Sequence, residues 1–200
     1  MLLNNYYKFI GITIILISII GCGKKNDQYV NFDDPRSVRN IANNMIDETI
    51  RFSASGYFSS DTSRSIVAGT EKSDKNKMGI SFNLIEKVDD EFKVVYNTGV
   101  LDGSFNKSIV DKMKFSSDGI EMIYYNSQDY YLGTGGGDVY LYVINFAERE
   151  VYYGHLIAER SWGTSLFLSK NLVDPMLRRF FISYFKKDYA ALRIINSDKL

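Results

Sequence analysis

The chain predicts a single α+β domain, with α/β as the alternative. In it a mostly antiparallel sheet of about four to six strands is covered by an N-terminal and a C-terminal helix. Both prolines, Pro35 and Pro175, follow an aspartate and open amphipathic stretches near the two ends. Between them short apolar runs, several of them alternating, are separated by turn residues. Tyrosine and phenylalanine are abundant, with 15 and 13 copies against two prolines, which suits an ordered, strand-rich domain.

In chain order, Asp34 caps the first helix and Pro35 takes its first position, where a missing N–H costs nothing. Val38, Ile41, Met45, Ile46 and Ile50 recur at three- and four-residue steps, carrying one apolar face through about Phe52. Ser65–Gly69 reads as a short strand ending in glycine. Ile80–Val88 fits two periods: Ile80, Phe82, Leu84 and Val88 alternate, while Ile80, Leu84, Ile85 and Val88 share a helical face. The turn Asp89-Asp90-Glu91, which separates it from the strand Phe92–Tyr96, favours helix. Asn106–Lys114 reads as a further short helix. Asp118-Gly119 is a turn before the strand Ile120–Tyr125. Val139–Phe146 pairs with Val151–Ile157 across Ala147-Glu148-Arg149-Glu150. Asp174-Pro175 repeats the capping device. There Met176, Leu177, Phe180, Phe181, Tyr184 and Phe185 form one stripe, opposed by Arg178, Arg179, Lys186 and Lys187. Such a helix can rest on a membrane surface, but covering the sheet of its own domain is the better use of it.

At the N-terminus Phe9 to Ile20 is an apolar run of twelve residues, behind Lys8 and ahead of Gly21-Cys22. A membrane-spanning helix needs about 20 apolar residues, so this length suits a signal-peptide h-region. Cys22 is the only cysteine, so no internal disulfide can form. The run Ile19-Ile20-Gly21-Cys22 resembles the lipobox of bacterial lipoproteins. The resemblance implies cleavage between Gly21 and Cys22 and acylation of Cys22, whose two or three chains would hold a membrane stably where one would not. The residue after it is Gly23, not the aspartate associated with inner-membrane retention, which implies the outer membrane with the domain in the periplasm. The organisation that follows is a signal peptide over residues 1–21, a lipidated cysteine with a short tether over 22–33, and the globular domain over 34–200. From Gly23 to Asp33 the tether has eleven residues and reaches at most about 36 Å.

Composition and motifs exclude more chemistry than they suggest. Loss of Lys8 leaves 23 basic against 24 acidic residues, a balance that gives no reason to expect nucleic acid. Gly133-Thr134-Gly135-Gly136-Gly137-Asp138 lacks a following lysine and helix, so it reads as a hairpin tip and not a phosphate loop. His155 is the only histidine. No Gly-x-Ser-x-Gly elbow accompanies it, and in its alternating strand it reads as exposed or hydrogen-bonded, with no catalytic set around it. No metal site and no cofactor are expected. Asp89-Asp90 is a solvated turn and nominates no glycosidase pair. The aromatic belt Tyr124, Tyr125, Tyr130, Tyr131, Tyr140, Tyr142, Tyr152, Tyr153 and Trp162 divides between two faces by alternation. Tyr130, Tyr131 and Trp162 are the candidate binding surface.

Two further resemblances lie in the body of the chain. Asn31-Phe32-Asp33-Asp34 with Val38-Arg39-Asn40-Ile41-Ala42-Asn43-Asn44-Met45-Ile46 is similar to the opening helix of outer-membrane lipoprotein activators of penicillin-binding proteins. Val139–Phe146 with Glu150–Gly154 looks like that family's closing hairpin. Phe115-Ser116-Ser117-Asp118-Gly119, Ile120–Asn126 and Asp138-Val139-Tyr140 look like one blade of a TolB-type propeller, although a single blade buries too little and an ordinary hairpin is the simpler reading. The activator resemblance implies a non-enzymatic envelope protein that regulates peptidoglycan synthesis through a protein partner. An immunity-type or inhibitor-binding lipoprotein is the alternative, and an enzyme acting on glycan or peptide is the least favoured class.

Overall fold

The computed structural model describes residues 30–74, 77–115, 118–130, 136–159, 163–189 and 191–197. The signal segment, Gly21, Cys22 and nearly all of the tether lie outside them. Among the described residues, eleven strands make two sheets. The first holds β1 (Ile50–Gly56), β2 (Ser65–Asp74), β3 (Lys77–Val88) and β4 (Glu91–Asn97) in that order, with the short β5 (Leu101–Asp102) also on β3. The second runs β11-β10-β9-β8-β7-β6, from β6 (Ser108–Met113), β7 (Met122–Tyr130), β8 (Gly137–Asn145), β9 (Glu150–Glu159) and β10 (Gly163–Ser169) to β11 (Arg193–Ser197). Every pairing is antiparallel except β10 with β11, which are parallel and joined through α2 (Pro175–Lys186). The other helix, α1 (Pro35–Met45), precedes β1.

Alternation assigns the layers. Val67, Ile80, Phe82 and Leu84 of the first sheet meet Ile123, Tyr125, Tyr142 and Ile144 of the second in one buried core. Ile66, Ala68 and Ile85, one residue out of phase, are buried on the opposite face of the first sheet. On that side α1 buries Val38, Ile41 and Ala42. The outer face of the second sheet, with Val139, Leu141, Val143, Leu156, Leu166 and Leu168, receives Leu177, Phe181 and Phe185 of α2. The order is therefore helix, sheet, sheet, helix. Each fully buried Leu or Phe contributes about 1.5–3 kcal/mol relative to exposure.

The α+β class and the mostly antiparallel pairing agree with the sequence reading, and so do both capping devices. Asp34 accepts from the backbone N–H groups of Arg36 (3.1 Å) and Ser37 (3.2 Å), and Asp174 accepts from that of Leu177 at 2.7 Å. The expected hairpin of β8 and β9 is present, with Asn145 opposite Glu150. The architecture is larger than expected: two sheets replace one, and each helix covers a different sheet.

Other expectations fail for identifiable reasons. The first helix stops at Met45 rather than near Phe52, with Ile46 closing it through its N–H to Ala42 O at 3.0 Å. Ile50 begins β1, because Ile50 and Phe52–Gly56 find ladder partners on β2. Ile80–Val88 is strand, not helix: β3 is buried on both faces through much of its length, so its apolar residues lose the alternation that a half-exposed strand displays. Asn106–Lys114 is likewise a single 3-10 turn, Phe105–Lys107, followed by β6. In the last helix Met176 stands 64 % exposed and is no part of the packed stripe.

Candidate binding site on the inner face of the second sheet

Beyond the part of the second sheet that the first one covers, a cleft of about 300 Å³ opens over β8, β9 and β10. Asp102, Tyr140, Tyr142, Tyr153, His155, Ile157, Phe167 and Ser197 line it. Register explains the grouping. His155 on β9 is the ladder partner of Tyr140 on β8 and of Phe167 on β10, and Tyr153 is the partner of Tyr142. Directly opposed side chains stand about 4.5–5.5 Å apart, so rings on neighbouring strands stack. The Tyr140 and His155 rings lie 4.3 Å apart and 17° from parallel. The Tyr125 and Tyr142 rings stack at 5.8 Å and 12°.

Polar contacts fix these side chains. Asp138, two residues before Tyr140 and on the same face, lies diagonal to His155, with Oδ1 at 2.8 Å from His155 Nε2. The two side chains are 15 % and 25 % exposed, open enough to be reached and shielded enough for the contact to hold. Tyr142 Oη accepts from the backbone N–H of Asp102 at 3.2 Å, which fastens β5 to the cleft wall. Tyr153 Oη donates to Ser197 O at 3.2 Å, reaching β11 from β9. Burial, and then the Asp102 charge, hold the Tyr142 hydroxyl well above the ordinary tyrosine pKa. Burial does the same to Tyr125. Both stay neutral phenols across the ordinary pH range, not anions.

Among the described residues no group of three or more His, Cys, Asp or Glu side chains is placed to hold a metal ion, and no helix is long and apolar enough to cross a membrane. Of the candidate surface residues, Tyr131 and Trp162 lie outside the described residues. Tyr130 ends β7 opposite Gly137, and its side chain lies outside them too. Gly133–Gly135 lies outside them as well, within the connection between the paired strands β7 and β8.

Alternation did divide the tyrosines. Tyr125, Tyr140, Tyr142 and Tyr153 face inward, and Tyr124 and Tyr152 pack on the α2 side. The inward set is covered in part by the other sheet, and not by a helix. His155 is hydrogen-bonded, as read, but it also lines a cleft, which its strand context alone did not indicate. Asp102, Phe167 and Ser197 were missed because β5, β10 and β11 were not recognised as strands. One signal was present: Tyr140 and Tyr142 on one strand, with Tyr153 and His155 on the next, alternate onto a single face across the predicted hairpin. No family model matches the chain, and neither curated proteins nor solved structures offer a match to it.

Proposed function

We propose that this chain is a lipid-anchored envelope protein, held by acylated Cys22 at the outer membrane. Its domain binds and does not catalyse, acting on peptidoglycan synthesis through a protein partner. The observation that carries the binding part is the aromatic cleft, a concave site walled by rings with a few polar groups converging on it. The lipobox-like run ending at Cys22 supports the address. A photo-crosslinking residue in place of Phe167 in intact cells tests the partner. Capture of a penicillin-binding protein supports the reading; capture of a secreted toxin replaces it with the immunity role. Cys22→Ser should abolish fatty-acid labelling, and labelling that persists refutes the anchor.

One observation favours a second reading, an enzyme acting on glycan or peptide. Asp138 orients His155 as a carboxylate orients a general base. His155 has no hydroxyl or thiol nucleophile bonded to it among the described residues, so the base would have to activate water. Envelope extracts hydrolysed by the wild type and not by His155→Gln would establish this reading over the first.

A further inference from the structure

We infer that the outward face of α2 seats on an anionic lipid surface and so sets which way the domain faces, a deepening that rests on reading the chain as membrane-held. From Pro175 to Lys187 the chain carries Arg178, Arg179, Lys186 and Lys187 and no acidic residue, although the whole sequence balances 24 basic against 24 acidic residues. Leu177, Phe181 and Phe185 turn toward the second sheet and fix the rotation of the helix. Met176, Arg179, Ser183, Lys186 and Lys187 recur at three- and four-residue steps on the other side, and all are exposed. Arg178 donates to Asn196 Oδ1 at 3.0 Å, but Arg179, Lys186 and Lys187 make no ion pair among the described residues. Val173, at the turn into α2, is 82 % exposed and Met176 64 %. They are the two most exposed large apolar side chains among the described residues.

A row of cations with exposed apolar side chains at one end matches a bilayer interface. Headgroup phosphates meet the charges there, and the acyl boundary takes the apolar groups. An acidic protein would also attract the cations. On this convex face, however, it would meet two lysines, a residue type depleted from protein interfaces, and no tyrosine or tryptophan anchor. Each cation near an anionic surface strengthens attachment about fivefold. That is marginal for a free domain and decisive for one already tethered, because the tether makes the contact intramolecular. Seated this way, α2 lies on the lipid with the second sheet above it and the first sheet beyond. A helix and two sheets stacked about 10 Å apart put the first sheet about 20–25 Å up. Phe32 and Asp33 contact that sheet through Ser55 and Arg64, and the tether's reach of at most about 36 Å covers the height. The cleft lies on the face of the second sheet opposite α2, so it opens away from the lipid.

A photo-crosslinking residue in place of Met176, in the full chain reconstituted into vesicles, reads the contact as lipid adducts by mass. Adducts in phosphatidylglycerol vesicles should exceed those in phosphatidylcholine vesicles at least about tenfold. The same residue in place of Val94, exposed on the first sheet, should stay at background in both. Arg179→Glu with Lys186→Glu should bring the Met176 adducts down to background while the urea midpoint holds. Arg179→Gln with Lys187→Gln, a milder pair, should lower them part of the way. Adducts no more frequent at Met176 than at Val94, or indifferent to headgroup charge, overturn the inference. So does capture of an acidic protein from Met176 in intact cells with no lipid adducts. Fatty-acid labelling of Cys22 is read on the same sample, which separates the two readings. An acylated chain without Met176 adducts fails this inference and keeps the anchor; Met176 adducts on an unacylated chain keep this inference and remove the anchor.

Discussion

Tyr152 illustrates how one side chain sets the chain's response to pH. It packs on the α2 side of the second sheet, and its hydroxyl donates to Glu148 Oε2 at 3.1 Å. Burial, then the hydrogen bond and charge of Glu148, push its pKa up to about 12 from an ordinary 10. A group whose pKa is raised by folding holds its proton more tightly when folded, so its stabilisation is complete below about pH 10 and lost as pH rises through about 12. Tyr125 and Tyr142, raised further, extend the loss beyond that range. The urea midpoint should fall steadily from about pH 10 to 12; a flat midpoint there would contradict the assignment. Tyr152→Phe should make that fall shallower.

The hairpin of β3 and β4 shows an element written plainly in its turn. Val88 opposes Glu91, so Asp89 and Asp90 form a two-residue loop, with φ of 53° and 66°. Both angles are positive, as the strand twist demands of the tightest hairpins, and a non-glycine residue there costs about 1 kcal/mol. Asp90→Gly should therefore raise stability by roughly 0.5–1 kcal/mol in urea unfolding, since the exposed ion pair it removes with Lys87 is worth less. The same hairpin marks where pattern reading runs out. Its acidic turn was legible, yet the strand before it was not, because β3 has Ile80, Phe82 and Leu84 on one face and Ser81, Asn83 and Ile85 buried on the other. β4, which follows a recognisable acidic turn, and the β8–β9 hairpin were legible. The helix starts were legible too, since an aspartate before a proline acts locally. Where α1 ends was not, because Ile50 is buried equally well by a helix or by a strand and only pairing with β2 decides.

Across the whole molecule, long-range polar contacts join the two sheets at their rim. Glu121, ahead of β7, accepts from the backbone N–H of Tyr57, past the end of β1, at 2.9 Å, and its other oxygen lies 3.4 Å from Lys112 Nζ on β6. Lys112 also donates to Ser55 O at 2.9 Å. Glu121→Ala leaves the exposed Tyr57 N–H without this acceptor and should cost about 0.5–1.5 kcal/mol, with faster proteolysis in the 57–64 loop; Glu121→Gln should retain most of that stability. Equal stability of the two variants would remove the contact from any role in holding the sheets. No sequence pattern announces such a tie, since its members are 64 residues apart. The cleft was hidden for the same reason. It is assembled from five strands, three of them unrecognised, and only the register of the second sheet brings Asp138, His155 and Phe167 together.

Arg64 also closes a grip on the start of the domain. Its guanidinium contacts Asp33 at 2.6 Å, Phe32 O at 3.1 Å and Ser55 Oγ at 2.9 Å, and stacks over the Phe32 ring at 5.3 Å, while Ser55 donates to Phe32 O at 2.6 Å. In mechanical terms, a pull arriving at Asn31 does not peel α1 from its first turn. It is delivered sideways into β1 and the residue before β2, where the ladder from Gly56↔Ser65 onward must shear as a unit. A chain held at this end meets drag as tension on its sheet, with its first helix shielded behind the grip.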